Sequence, residues 1–479
     1  MSMRPADYRF LAPAWPRTVL LLDGRPGEPE AFAAAGLEAT ERSPDLVLTD
    51  ARRAGQAARL HASTVIARGG RARELGRAGY AVRRMIVRPG DAGPRLFVPL
   101  DAKGAVRHAL VAARPDGARA KRVALRVALL ASRLGLPLPG TITVAADGGS
   151  PALLQSAAAA AGVELGDDWC LLAGDGDDLR RAVWLGFDES GHGPAWVVKF
   201  SRVRGNSSAF EREDEVVPIL EALPQVLRRH VPRRLGRFQL DGLHALVETG
   251  ARGRPLQDAL EHGVEAPNLV DDIAAWIVEV GRATPQPSSL RDAEIVRLER
   301  DVLPAWRDRG APAGLATRVV EVAGVLQHND LGSWNIVCEG GTFTVLDWES
   351  NRIGGLPLWD IVYFLTDALT AAGPRDPAVR VEIMLALLRG EAELSGRLFG
   401  WLGRAAAAAG VPRELVGPIV TLGWLHHGLS HEVRAVRAVS GGTTANPPSN
   451  RGPLQRLGER WLDDPELGID WPAFARASA

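Results

Sequence analysis

His328-Asn329-Asp330-Leu331-Gly332-Ser333-Trp334-Asn335, followed closely by Thr344-Val345-Leu346-Asp347-Trp348, places three oxygen-bearing side chains within reach of a single loop return. Their chemistries differ. A carboxylate can orient an attacking hydroxyl and accept its proton, an amide oxygen can hold a hard metal ion, and a second carboxylate can reach the metal that bridges nucleotide phosphates. Asp330, Asn335 and Asp347 fit those three roles in that order. With ten His, thirty Asp and seven Asn in the chain, the pattern His-x-Asp-x-x-x-x-Asn is expected by chance about 0.01 times. His328 is read as a support for the loop through hydrogen bonding, not as a group acting on substrate.

Upstream, the next informative residue is Lys199, in Trp196-Val197-Val198-Lys199-Phe200 on a predicted strand. Arginine replaces lysine nearly everywhere, and Lys103, Lys121 and Lys199 are the three lysines of the chain. A compact ammonium on a flexible stem contacts phosphates where a forked guanidinium does not substitute geometrically. Lys199 is therefore assigned to nucleotide phosphates. Such a lysine needs a carboxylate on the following helix, and Glu213 shares a helical face with Phe210, Val217 and Leu220; Glu215 is the next candidate. Gly174-Asp175-Gly176-Asp177-Asp178 stands where a phosphate flap would fold. Gly174 and Gly176 permit the turn, the aspartates would then face solvent, and a plain hairpin turn is the alternative. Val247-Glu248-Thr249-Gly250 closes a later strand, where a hinge would offer the backbone around Glu248 and Gly250 to adenine.

These residues sit in a legible order of elements. Strands are predicted near 170–173, 182–187 and 195–200, then a helix near 209–223, then two strands around the turn dipeptide Asp241-Gly242. That is a five-stranded antiparallel sheet with one helix after its third strand. Beyond Leu256 the pattern is helical almost everywhere apart from 325–348. The first hundred residues alternate short apolar strands, at 19–22, 45–49, 64–67, 82–87 and 96–99, with Ala-rich helical stretches, which argues a small α/β unit. After its first strand, Asp23-Gly24-Arg25-Pro26-Gly27 lacks the three-glycine spacing of a dinucleotide loop. It is read as Rossmann-like with a scaffold or docking role. The domain reading is 1–104 α/β, 105–165 a helical connector with Ser150-Pro151 opening a helix, 166–255 a small β lobe and 256–479 a large helical lobe.

Composition narrows the class. At 46% hydrophobic and 24% charged the chain reads as globular, without an apolar run of the roughly 20 residues a membrane span needs. Residues 1–150 hold 24 Lys and Arg against 13 Asp and Glu, the remainder 33 against 44. The basic excess comes without a nucleic-acid reader motif, so neither a nucleic-acid nor a membrane partner is expected. Two cysteines, Cys170 and Cys338, are too few for a disulfide framework or zinc cluster. A cytoplasmic protein whose metal is held by oxygen is the expectation.

At the quoted motifs the chain resembles the aminoglycoside phosphotransferase and choline kinase family, over roughly residues 166–479. That resemblance implies an α+β, bilobal protein-kinase-like fold. It also implies transfer of the γ-phosphoryl group of ATP, with Mg²⁺, to a hydroxyl of a small molecule: an aminoglycoside, amino alcohol, homoserine or sugar. It carries the catalytic aspartate onto Asp330, the metal ligands onto Asn335 and Asp347, and the phosphate-contacting lysine onto Lys199. Asp360, in Pro357-Leu358-Trp359-Asp360, resembles the aspartate that buttresses the loop. Gly332-Ser333-Trp334 departs from the His-Pro-Gly of many members. The competing readings are a nucleotide-binding pseudokinase acting through its N-terminal part, against which stands the retention of all four residues, and a methyltransferase with an appended kinase-like domain.

Overall fold

The structure, a computed structural model, describes residues 5–69, 73–90, 93–112, 140–173, 181–189, 193–263, 266–374, 376–440 and 452–477. It is mixed α and β, in two compact units. The first comprises the described residues up to Ser207 with Arg233–Arg252, and the second comprises Ser208–Pro232 with the described residues from Gly253 on.

The first unit is built on one sheet of twelve strands: β1 Thr18–Leu21, β2 Glu38–Ala39, β3 Leu46–Asp50, β4 Thr64–Arg68, β5 Ala81–Gly90, β6 Gly93–Pro99, β7 Thr141–Ala146, β8 Trp169–Leu172, β9 Ala182–Phe187, β10 Pro194–Phe200, β11 Arg234–Leu240 and β12 Leu243–Thr249. Their order across the sheet is β11-β12-β10-β9-β8-β6-β5-β7-β4-β3-β1-β2. The expected antiparallel set β8 to β12 is present, with Asp241 and Gly242 both at positive φ in the tight turn between β11 and β12. So are the five early strands, of which β1, β3 and β4 run parallel.

Three expectations are corrected. The α/β part is not a separate domain preceding a five-stranded sheet. β6 pairs antiparallel with β8, Leu96 opposite Leu172 and Phe97 opposite Leu171, so the two sheets are one. The segment 105–165 is also not wholly helical, because β7 lies inside it and pairs with both β4 and β5. Nor does Ser150 cap the helix Ala152–Ala161: Pro151 holds the N-cap position, and the Ser150 hydroxyl goes to Asp167.

Packing explains the fusion. Along β3 and β4, Leu46, Leu48 and Ile66 face one core while Val47, Val65 and Ala67 face another, so these strands are buried on both sides. The first of those cores runs without interruption into the antiparallel strands, joining Phe10, Phe32 and Phe97 to Trp169, Trp184, Trp196 and Phe200. The N-terminal turn Pro5–Leu11 seals it: the Phe10 ring meets Phe200 edge-on at 4.7 Å, and Arg9 donates to the Arg202 carbonyl at 2.8 Å. The helix Ala152–Ala161 crosses β11 so closely that a Cβ on Gly236 would lie 2.4 Å from the Ala160 carbonyl oxygen. At the turn after β1, Asp23 accepts from the Asp50 amide and the Thr49 hydroxyl, which holds its carboxyl below the usual range.

The second unit is largely helical around one large core. It carries two three-stranded sheets. β13 Arg254–Pro255, β16 Ile336–Glu339 and β17 Thr342–Val345 form one, and β14 Pro285–Gln286, β15 Gly324–Gln327 and β18 Arg352–Gly355 the other. Gly340 and Gly341, both at positive φ, make the tight β16–β17 turn. No helix among the described residues is long and apolar enough to cross a membrane.

Candidate active site

The second unit brings Asp330, Asn335 and Asp347 together. β15, buried along its length, delivers the chain to His328. Asn329 then adopts a φ of 62°, a left-handed conformation that asparagine tolerates better than most residues. The helix Trp359–Thr370 holds this bend from below: the Asp360 carboxylate, in its first turn, accepts the His328 amide at 2.6 Å and the Asn329 amide at 2.8 Å. Burial raises the Asp360 carboxyl to about 6 despite those two donors, which pull it down. Asp360 is thus a buttress, as the resemblance implied.

The far end of the loop has an anchor the sequence reading missed. Asp367, buried, accepts from the Ser333 amide at 2.8 Å and hydroxyl at 2.5 Å, and is itself paired with Arg380 at 2.6 Å. Asp360 and Asp367 lie seven residues apart on one helix, hence on one face about 10 Å apart. Two aspartates at that spacing in an otherwise apolar helix were the available signal. Ser333, one of the departures from the family pattern, is the residue that uses the second one.

Leu346 joins the loop 328–335 to the segment that carries Asp347. Its amide donates to the Asn335 carbonyl at 2.8 Å, and its carbonyl accepts from His328 Nε2 at 2.6 Å. The expected supporting role of His328 therefore has a definite form, in which the imidazole ties the loop to the residue before Asp347. Asp347 follows at φ 67°. Asn335 turns its amide nitrogen to the Asp330 carbonyl at 2.8 Å and carboxylate at 3.3 Å. Its side-chain oxygen is then the end of the amide left to face a cation.

Lys199 lies in the first unit, on β10, buried at 6% exposure. Its ammonium stands 2.9 Å from a carboxylate oxygen of Glu248 on β12. The sequence reading had looked to Glu248 for backbone groups, yet its peptide is in the ladder opposite Val197 and Arg234, and its side chain meets Lys199. The signal lay in alternation. Leu243, Ala245 and Val247 face the aromatic core, so Glu248 must share the other face with Lys199. Gly250 ends this strand against Pro194, where a Cβ would lie 2.1 Å from the carbonyl oxygen. Glu213 belongs to the second unit, on the buried side of the helix Ser208–Ala222 with Phe210, Val216 and Leu220, while Glu211 and Glu215 are exposed. Gly174 and Gly176 lie outside the described residues.

The buttressed loop and the hairpin that follows it thus carry a carboxylate, an amide oxygen and a second carboxylate, tied together through Leu346. In the comparison with known families, residues 175–399 match the model of the phosphotransferase enzyme family. No curated protein matches the chain. Solved structures that match include a GDP complex of a mutant aminoglycoside 2'-phosphotransferase-IIIa, 17% identical over 56% of this chain and 87% of that one, TM-score 0.32. Aminoglycoside phosphotransferase APH(3'')-Id from Streptomyces rimosus matches at 14% identity over 50% and 89%, TM-score 0.28. The same enzyme with ADP and streptomycin matches at 16% over 51% and 94%, TM-score 0.29. At these values the likenesses carry no further step below.

Proposed function

We propose that the protein transfers the γ-phosphoryl group of ATP to a hydroxyl of a small molecule, in the presence of Mg²⁺. The observation that carries this reading is the double tie at Leu346, which fixes Asp347 to the loop bearing Asp330 and Asn335. In this reading β8 to β12 form the small lobe of a protein-kinase-like fold and the helical unit the large lobe. The rest of the twelve-stranded sheet serves as an added scaffold.

Asp330 orients the acceptor hydroxyl and takes its proton as the oxygen attacks the γ-phosphorus in line; the bond to the β–γ bridging oxygen breaks and ADP leaves. Lys199 contacts the phosphates, and the backbone at Gly250, just past the ladder that holds the Glu248 peptide, receives the adenine. The donor set fits a hard cation, since the Asn335 amide nitrogen is committed to Asp330 and its oxygen is left for ligation beside the Asp347 carboxylate. Asn335 and Asp347 would hold Mg²⁺, which supplies neutralisation of phosphate charge. Positioning and charge compensation then account for most of the rate. The acceptor is an aminoglycoside, an amino alcohol, homoserine or a sugar. We place the protein in the cytoplasm, in keeping with two buried cysteines that are not joined in a disulfide.

ATP consumption by the purified protein, screened against those four acceptor classes, tests the proposal with Asp330→Ala as the blank. Turnover with the best acceptor should fall by roughly 10²–10⁴-fold in the variant while ATP still binds. Equal consumption by both proteins would remove Asp330 from the role and the reading with it.

A further inference from the structure

The Lys199–Glu248 pair has features that folding alone does not call for. In the register of β10 and β12, Val197 stands opposite Glu248 and Lys199 opposite Leu246. The two charges are therefore diagonal neighbours on one face, a spacing that long side chains bridge. Around them on that face lie Val183, Leu185, Val197 and Leu246, apolar and at least half-buried. The two side chains are 8% and 12% exposed. An ion pair in such surroundings adds little stability over apolar residues of similar volume, because desolvating both charges offsets their attraction. The cation is also one of three lysines in a chain with 57 Lys and Arg.

We infer that Glu248 is a positioning residue for phosphoryl transfer, which anchors Lys199 so that its ammonium presents its other N–H groups to the nucleotide phosphates. This rests on the reading of Lys199 as the phosphate contact. An ammonium has three donors in a tetrahedral spread, and a carboxylate that takes one of them sets the direction of the rest. The anchor stands on a strand hydrogen-bonded to the strand of the lysine, so the sheet itself fixes their geometry. It also keeps a buried ammonium compensated when no nucleotide is bound.

ATP titrations of the full-length protein and of Glu248→Gln, Lys199→Ala and the double variant separate positioning from a general structural role. Glu248→Gln should weaken ATP binding by about tenfold, the loss of one charge-assisted contact. The same change in the Lys199→Ala background should cost no more than about twofold, because the group through which Glu248 acts is gone. Should Glu248→Gln not fold, Glu248→Asp keeps the charge but withdraws it by one methylene, and should show the same non-additivity from a loss of about threefold or more. A Glu248 effect of equal size in both backgrounds, or wild-type ATP affinity in Glu248→Gln alongside a weakened Lys199→Ala, would overturn the inference. Wild-type affinity in Lys199→Ala would overturn instead the assignment of Lys199 on which it stands.

Discussion

Replacing Asp360 by alanine should give a stability defect that grows on acidification, opposite to the usual behaviour of a carboxylate. In the folded chain its carboxyl is raised to about 6 from an ordinary 3.8, with burial as the leading cause. Between those two values the folded state holds a proton that the unfolded state has released. Wild-type stability conferred by this group therefore rises as pH falls through 6 and is lost as pH rises through it. A shift of about two units corresponds to roughly 3 kcal/mol between the limits, of which about 2 kcal/mol is recovered by pH 4.5. The alanine variant leaves the His328 and Asn329 amides without their acceptor, at a cost of about 1–3 kcal/mol each, but also removes the burden of the buried charge. At pH 7 the two effects largely offset one another, leaving a net change between about a 1 kcal/mol gain and a 3 kcal/mol loss. At pH 4.5 the wild type has recovered its share, and the gap should be wider than at pH 7 by about 2 kcal/mol, reaching about 1–5 kcal/mol. Urea unfolding of both proteins at the two pH values, followed by tryptophan fluorescence, measures the gap directly, and other titrating groups cancel in the difference. A gap that stays constant or narrows on acidification would refute the account of Asp360 as a carboxylate burdened by burial. Turnover of the variant at pH 7 should fall by roughly 10- to 100-fold as the Asp330 loop loses its support.

Two further outcomes test other parts of the structure. Asn335→Ala and Asp347→Ala should each weaken Mn²⁺ binding in the presence of ATP by at least about tenfold, read by electron paramagnetic resonance; unchanged affinity in either variant would remove that residue from the metal site. Gly253, at φ 108° with a would-be Cβ 2.1 Å from the Cys338 carbonyl oxygen, should not tolerate alanine: a loss of about 2–4 kcal/mol is expected in thermal unfolding, and a wild-type melting temperature would show that this close approach to β16 is not required.

What sequence alone determined is what is local in the chain. Asp330 and Asn335 are separated by a single loop, so their spacing already brings them close, and Asp347 follows at the end of one short hairpin. The early strands and the five antiparallel ones were legible from short apolar runs bounded by turn residues, since burial against a core imposes that pattern whatever the partner strand. β7 escaped because it is buried on both faces throughout, so the alternation that marks a half-exposed strand is missing, and the segment sits among Ala-rich helical stretches. The tertiary structure alone decided which strands pair at a distance. A strand that ends one sheet and a strand that joins two read the same locally, and the β6–β8 junction is fixed only when a single aromatic core is closed across both. The same holds for the polar partners: Asp367 under Ser333 and Glu248 beside Lys199 come from segments far along the chain, selected by which buried donor or charge each could satisfy.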